Sequence, residues 1–264
     1  MLRICTLASG SNGNCTFVSD GTTNLLIDAG ISARAITREL DALGIAPDAL
    51  DAILITHEHS DHIRGLEVLE KKWSIPIHAA QEATAGTMAE LIPALAARIC
   101  TFSTDESFSI GSLSVTPFRT PHDTPHSVGF RLEGGGRCAA SATDLGYVPD
   151  EARELMCGAD LVLLEANYDD DALRAGRYPP MLKRRIAGRN GHLSNRDCAD
   201  CAVYAVEHGV KYVLLGHLSA ENNTPKLAYD TVHMQLTRRG VIPGVDMMLQ
   251  VAPRGARGQM FELD

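Results

Sequence analysis

The sequence predicts an α/β protein, and more narrowly a four-layer αββα sandwich: two sheets packed face to face with helices outside. Three observations lead there. Apolar strand-like runs and helical patterns alternate early and again late in the chain, so that two strand-rich halves are each followed by helices. Between them, residues 99–143 are dominated by segments of period two, as an antiparallel meander requires. Finally, several short apolar runs end in His, Asp or Glu, at the carboxyl ends of strands where open sheets place their sites.

The elements follow in order. Met1 to Ala8 reads as a strand running into the turn Ser9-Gly10-Ser11-Asn12-Gly13-Asn14, whose Gly and Asn residues suit positive φ. Asn24 to Asp28 is the next strand. Ser32 caps a helix with Ile36, Leu40 and Leu43 on one face, ending at Gly44. Ala52 to Ile55 is a short apolar strand, Ile63 to Lys72 a helix, Ile75 to His78 a strand and Gln81 to Ala97 a second helix. The meander comprises Ser107 to Ile110, Leu113 to Arg119, Ser127 to Leu132 and Arg137 to Ser141, with Gly134-Gly135-Gly136 as a turn. Leu161 to Glu165 is again an apolar strand. Ser194 starts a helix with Asp197 at its third position, as in a capping box. Tyr212 to Leu215 is a buried strand, and Thr224-Pro225 opens a long helix in cap-then-Pro order.

Composition narrows the class. With 264 residues the chain can bury a sizeable core, and no linker-like stretch breaks it, so residues 1–264 are expected to form one domain. No run approaches the roughly 18 apolar residues of a membrane span, and the N-terminus lacks a signal-peptide pattern; a soluble, cytoplasmic protein is expected. Seven cysteines without a secretory signal point to reduced thiols. Cys198 and Cys201 have CxxC spacing but sit in a helical pattern with no second pair, which reads as packing. The net charge of −9 excludes a uniformly basic nucleic-acid surface. Yet from Ala172 to Arg196 there is no acidic residue, while Arg174, Arg177, Lys183, Arg184, Arg185, Arg189 and Arg196 are basic. One local anion-facing patch follows.

The chemistry centres on Thr56-His57-Glu58-His59-Ser60-Asp61-His62. Three imidazoles and a carboxylate in six residues ask for divalent metal. On an extended segment His57, His59 and Asp61 share a face, with His62 supplied from the turn. A helical zinc-protease motif fails here, because Asp61 stands where its second His is needed. Strand ends elsewhere repeat the donor types: His122, Asp144, Glu165 and His217. His126 competes with His122.

Taken together, this pattern resembles the metallo-β-lactamase-fold hydrolases, whose His-x-His-x-Asp-His motif is followed by a His, an Asp and a final His. The resemblance implies a metallo-β-lactamase-type αββα fold and two divalent ions. One lies on His57, His59 and His122, the other on Asp61, His62 and His217, with Asp144 bridging. The segments 7–14, 191–195 and 217–223 resemble signatures of the YycJ/WalJ branch, taken to be nucleases with 5′-to-3′ exonuclease action on DNA. One departure is visible: Ala166-Asn167-Tyr168-Asp169 stands where that branch is expected to have Ser-Asn-His-Asp.

Two ions can lower the pKa of a shared water to near 7 and present it to phosphorus. The mixed nitrogen and oxygen donors suit zinc, with manganese also compatible. Asp61, His192 and Glu165 are the candidate catalytic residues; by resemblance to RNA-processing relatives, His192 paired with Glu165 would protonate the leaving oxygen. Ser194, Arg185 and Asn222 are candidate substrate contacts, and Asp28 reads as supporting the site rather than reacting. A DNA phosphodiesterase is the leading reading, because a basic stretch beside His192 favours a polyanion. A hydrolase of a thioester, lactone or other small ester, or an RNA-directed nuclease, is the alternative. A metal-stabilised binding module is a third, which seven candidate ligands with room left for water disfavour.

Overall fold

The computed structural model describes residues 1–81 and 83–264. The first sheet contains β1 (Leu2–Ala8), β2 (Cys15–Ser19), β3 (Asn24–Ile27), β4 (Ala52–Leu54), β5 (Ile77–Ala80) and β6 (Ile99–Phe102). The second contains β7 (Phe108–Ile110), β8 (Leu113–Thr120), β9 (Ser127–Gly134), β10 (Arg137–Ala142), β11 (Leu161–Glu165), β12 (Tyr212–Gly216) and β13 (Met248–Val251). The last strand, β14 (Phe261–Leu263), returns to pair antiparallel with β1, so each sheet has seven strands. In both, an antiparallel block gives way to a parallel one, at β3/β4 and at β10/β11.

Three apolar cores make the four layers. In the parallel strands neighbouring residues serve different cores, because side chains alternate across a pleated strand. Leu25, Leu54, Leu163 and Leu214 point into the core shared by the two sheets, with Phe130. Leu26 and Ile53, one residue away, join Ile36 and Leu40 of α1 (Ala33–Ala42) on the outer face of the first sheet. Leu164 and Leu215 pack outward against Ala202 of α8 (Asn195–Glu207) and Val232 and Leu236 of α9 (Pro225–Arg238). Burial on both faces explains why these strands read as unbroken apolar runs.

The expected αββα sandwich is the observed one; several boundaries differ for local reasons. The helix expected over Ile63–Lys72 is two pieces, α2 (Ser60–Ile63) and α3 (Leu66–Trp73). Gly65 sits at the break, where a Cβ would lie 2.6 Å from the Ile31 carbonyl oxygen. The helix expected over Gln81–Ala97 is described as α4 (Ala83–Leu91) and a 3-10 turn at Pro93–Leu95, since Pro93 cannot donate a helical hydrogen bond; Glu82, within that expectation, lies outside the described residues. The meander is shorter than expected: β6 belongs to the first sheet, parallel to β5, and only β7 to β10 run antiparallel. The strand expected over Ile75–His78 is β5, two residues later. Three short helices went unanticipated, α5 (Asp150–Met156), α6 (Asp170–Ala175) and α7 (Pro180–Ile186), as did β13 and β14. All five carry too few residues for a periodic signal.

Cys198 and Cys201 are buried on α8 in its apolar core, and burial pushes the Cys201 thiol up to about 12. All seven cysteines are free. No helix among the described residues is long and apolar enough to cross a membrane.

Candidate active site

The two blocks of parallel strands end on the same side of the sandwich, and their exits carry the polar residues. Asp28 follows β3, His57 lies beyond β4, Asp144 follows β10, Glu165 closes β11 and His217 follows β12. Three of these, Asp28, Asp144 and His217, have φ of 62°, 58° and 53°. Left-handed backbone costs a non-glycine residue of order 1–3 kcal/mol and persists where surroundings over-determine it. Here it turns each side chain back over the strand ends.

The opening motif is not extended throughout. Its i, i+2 relation serves His57 and His59, but α2 begins at Ser60, so Asp61 and His62 come from a helical turn. Gly30 permits this, because a Cβ there would lie 1.6 Å from the Asp61 carbonyl oxygen; that same oxygen accepts from the Asn14 amide at 2.8 Å.

Seven side chains converge. His57, His59 and His122 offer ligand atoms within 4.8 Å of one another, as do Asp61, His62 and His217, and His57, His62 and Asp144. His122 therefore joins the cluster, whereas His126 does not. Asp144 is central, with Oδ2 3.3 Å from His62 Nε2 and Oδ1 3.4 Å from His217 Nε2 and 3.8 Å from His122 Nε2. It touches members of both triads. Three buried atoms here, His57 Nε2, Asp144 Oδ2 and His217 Nε2, lack any hydrogen-bond partner. Buried polar atoms are nearly always satisfied, so a nest of imidazole nitrogens and carboxylate oxygens with orphaned members fits divalent cations. A fourth group, Asp144, Glu165, His192 and His217, has similar spacing, but the Glu165 oxygens in it already accept hydrogen bonds, as a third ion's ligands would not.

Neighbouring residues hold the rings. Asp28 Oδ2 lies 2.7 Å from His62 Nδ1, while Asp28 Oδ1 accepts from the Thr56 amide at 2.9 Å. His122 Nδ1 is 2.9 Å from the Gly191 carbonyl, and Asn167 Nδ2 donates to the His217 carbonyl at 2.9 Å. Glu165 is fully buried and accepts four contacts: its Oε1 lies 2.8 Å from His192 Nδ1 and 2.7 Å from His217 Nδ1, and its Oε2 accepts from the amides of Leu145 at 3.0 Å and Leu193 at 3.1 Å. Fixing one ring nitrogen leaves the other aimed at the site. Asp28→Ala is expected to weaken metal affinity about 10–100-fold, read by competition with a chromogenic chelator; unchanged affinity would remove this role for Asp28.

Charge behaves accordingly. Burial lowers His57 strongly, and the neighbouring His62 adds to that. Burial also opposes charge on His62, but the carboxylates of Asp28 and Asp144 outweigh it and push the ring up to about 10. His217 is likewise raised well above its ordinary value, against burial, by Asp144, Asp61 and Glu165. Both rings therefore hold a proton more tightly than a free histidine does, and a cation must displace it. Zinc added to metal-free protein in weak buffer at pH 7 is therefore expected to release protons, and apparent affinity to rise with pH; a titration without acidification would refute this.

The remaining expected residues divide. Arg185 lines a cavity of about 170 Å³ with His192, Tyr178 and Asp123. Ser194 and Asn222 are not among the residues lining that cavity. Ser194 caps α8, accepting from the Asp197 amide at 3.1 Å and donating to its carboxylate at 2.8 Å. Asn222 is 1% exposed, and its carbonyl oxygen accepts from the Asp169 amide. Tyr168, at the departure from the branch pattern, is buried, and its main chain pairs with that of Ser194. Asp123 was missed. Its Oδ1 lies 3.3 Å from His122 Nε2 and 3.7 Å from His59 Nε2, and it pairs with Arg185. Adjacency to His122 was the one available signal.

Comparison with known proteins is consistent with this geometry. A family model described as a beta-lactamase superfamily domain matches residues 23–218. The chain is 37% identical over 243 residues to the exodeoxyribonuclease WalJ of Streptococcus pneumoniae, covering 91% of this chain and 90% of that protein. It is 35% identical over 240 residues to the exodeoxyribonuclease YycJ of Bacillus anthracis, covering 90% of each. Among solved structures, the metallo-beta-lactamase fold protein YhfI of Bacillus subtilis superposes with a TM-score of 0.72 at 17% identity, covering 99% of this chain and all of that one.

Proposed function

The chain belongs to the beta-lactamase superfamily, and from that premise we propose that it is a metal-dependent phosphodiesterase acting on DNA as a 5′-to-3′ exonuclease. The observation that carries the reading is Asp144 seated between two ligand triads and in reach of both, the arrangement a pair of ions requires. The named activity of the two exodeoxyribonucleases, similar across nine tenths of the chain, supports DNA as substrate.

His57, His59 and His122 would hold one ion, Asp61, His62 and His217 the other, and Asp144 would bridge them. Three neutral imidazoles suit zinc at the first position, and manganese is compatible where oxygen donors weigh more. Two bound divalent ions supply water acidified to a pKa near 7 and neutralise phosphoryl charge.

The chain's own residues do the rest. Asp28, the Gly191 carbonyl and Glu165 orient His62, His122 and His217. His192 lies at the cavity with its Nδ1 held by Glu165, which leaves Nε2 free to protonate the departing oxygen of the cleaved ester. Arg185, held by Asp123 on the same cavity wall, offers a cation to phosphate.

The decisive experiment presents metal-loaded protein with 5′-phosphorylated duplex DNA, single-stranded DNA, RNA, a lactone and a thioester. Mononucleotide release from DNA, abolished by chelator and restored by Zn or Mn, is the expected result. Faster turnover of lactone or thioester than of either DNA would overturn the proposal.

A further inference from the structure

A groove of about 360 Å³ is lined by His122 together with Arg119, Pro121, Pro125, His126, Tyr147 and Pro149 among others. No carboxylate lines it. That is unusual on a chain of net charge −9; the larger cavity of about 630 Å³ between α6, α8 and α9 presents Asp169, Asp170, Asp171 and Asp200. At the groove's edge Tyr147 is 38% exposed, and the Arg189 guanidinium carbon lies 4.4 Å from the centre of its ring.

This pair is tied to the chemistry. Tyr147 follows Asp144 by three residues and Arg189 precedes His192 by three. Gly146 locks the segments together: its amide donates to the Pro121 carbonyl at 2.9 Å, and a Cβ on it would lie 2.3 Å from the Arg189 carbonyl oxygen. The loop bearing His122 is pinned from its other end, where Thr124 donates to the buried Glu58 at 2.6 Å. An exposed aromatic ring backed by a cation thus stands on backbone tied to the His122 loop.

We propose that Tyr147, backed by Arg189, is a stacking platform for an unpaired base of the nucleic-acid strand, and that Arg119 meets the adjoining phosphate in the same groove. The proposal rests on the phosphodiesterase reading and names the subsite that reading requires. An aromatic face accepts any base, and cations track the backbone without reading sequence. The volume falls within the roughly 300–1,000 Å³ typical of small-ligand sites. Pro121, Pro125 and Pro149 add apolar lining on backbone whose φ is fixed.

The test compares metal-loaded parent, Tyr147→Ala and Tyr147→Phe on 5′-phosphorylated single-stranded oligonucleotides, intact or carrying one abasic position scanned through the first four nucleotides. Tyr147→Ala is expected to raise KM for the intact strand about tenfold, the loss of one stacked base, with kcat within threefold and metal content unchanged, while Tyr147→Phe stays near parent. One abasic position should impose the same rise on the parent and none further on Tyr147→Ala. Additive effects at every position, or a Tyr147→Ala KM equal to that of the parent, would overturn the platform while leaving the nuclease reading intact. A parent that leaves DNA uncut would overturn that reading, and the platform with it.

Discussion

His192→Ala is expected to lower kcat on DNA by roughly 100- to 10,000-fold, the range of a positioned general acid, while the protein keeps its full complement of metal. The expectation follows from where the ring is held. Glu165 Oε1 sits 2.8 Å from its Nδ1, and burial, which disfavours charge, is outweighed by Glu165 and Asp144, so the ring stays protonated to higher pH than a free histidine. A proton is therefore available where the leaving oxygen departs. Added imidazole should restore part of the loss, since the His192 side chain is 22% exposed on the wall of a cavity of about 170 Å³. Metal analysis beside steady-state kinetics decides the matter. If metal content falls in step with activity, His192 is a ligand or a structural support rather than the acid.

Glu165→Ala should do still more damage, because it removes a partner from four groups at once. His192, His217 and the amides of Leu145 and Leu193 all converge on a carboxylate with no solvent exposure. Removing one partner of a buried charged network costs about 3–5 kcal/mol, a fall in Tm of roughly 6–20 °C for a chain of this size. Glutamine is no remedy. Whichever way its amide is placed, either the two backbone N–H groups or the two rings face an NH₂ group that can only donate. Both variants should therefore melt well below the parent and lose activity at least as severely as His192→Ala. Calorimetry showing either within 2 °C of the parent would mean that Glu165 does not bind this site together.

Much of the site was legible in the residues. His57, His59, Asp61 and His62 announce themselves because four donors of the same chemistry fall within six positions, a density that packing does not produce. His122, Asp144, Glu165 and His217 were each recognisable as a polar residue at the end of an apolar run. What the run cannot say is whether those ends meet. The residues that serve the candidate ligands were largely hidden: Asn167 and the Gly191 carbonyl act through hydrogen bonds set by loop geometry, and Asp123 is one acid among many until the fold sets it against His59 and His122. Ser194 and Asn222 were named from residue type and place in the chain, which do not tell that Ser194 caps a helix or that Asn222 is buried.

The sequence by itself determined the alternation of strands and helices, the packing of two sheets between outer helices, and which residues are candidate metal donors. All of these are written as local periodicity or as residue type. The tertiary structure alone decided that β6 joins the first sheet, that β14 returns to β1, and that Asp144 sits between both triads. The physical reason is range: pleat and helical pitch repeat within a few residues and leave a mark on neighbouring positions. Contacts between His62 and His217, or between Tyr147 and Arg189, depend instead on how whole layers bury their apolar faces, and on loops whose course only that packing defines.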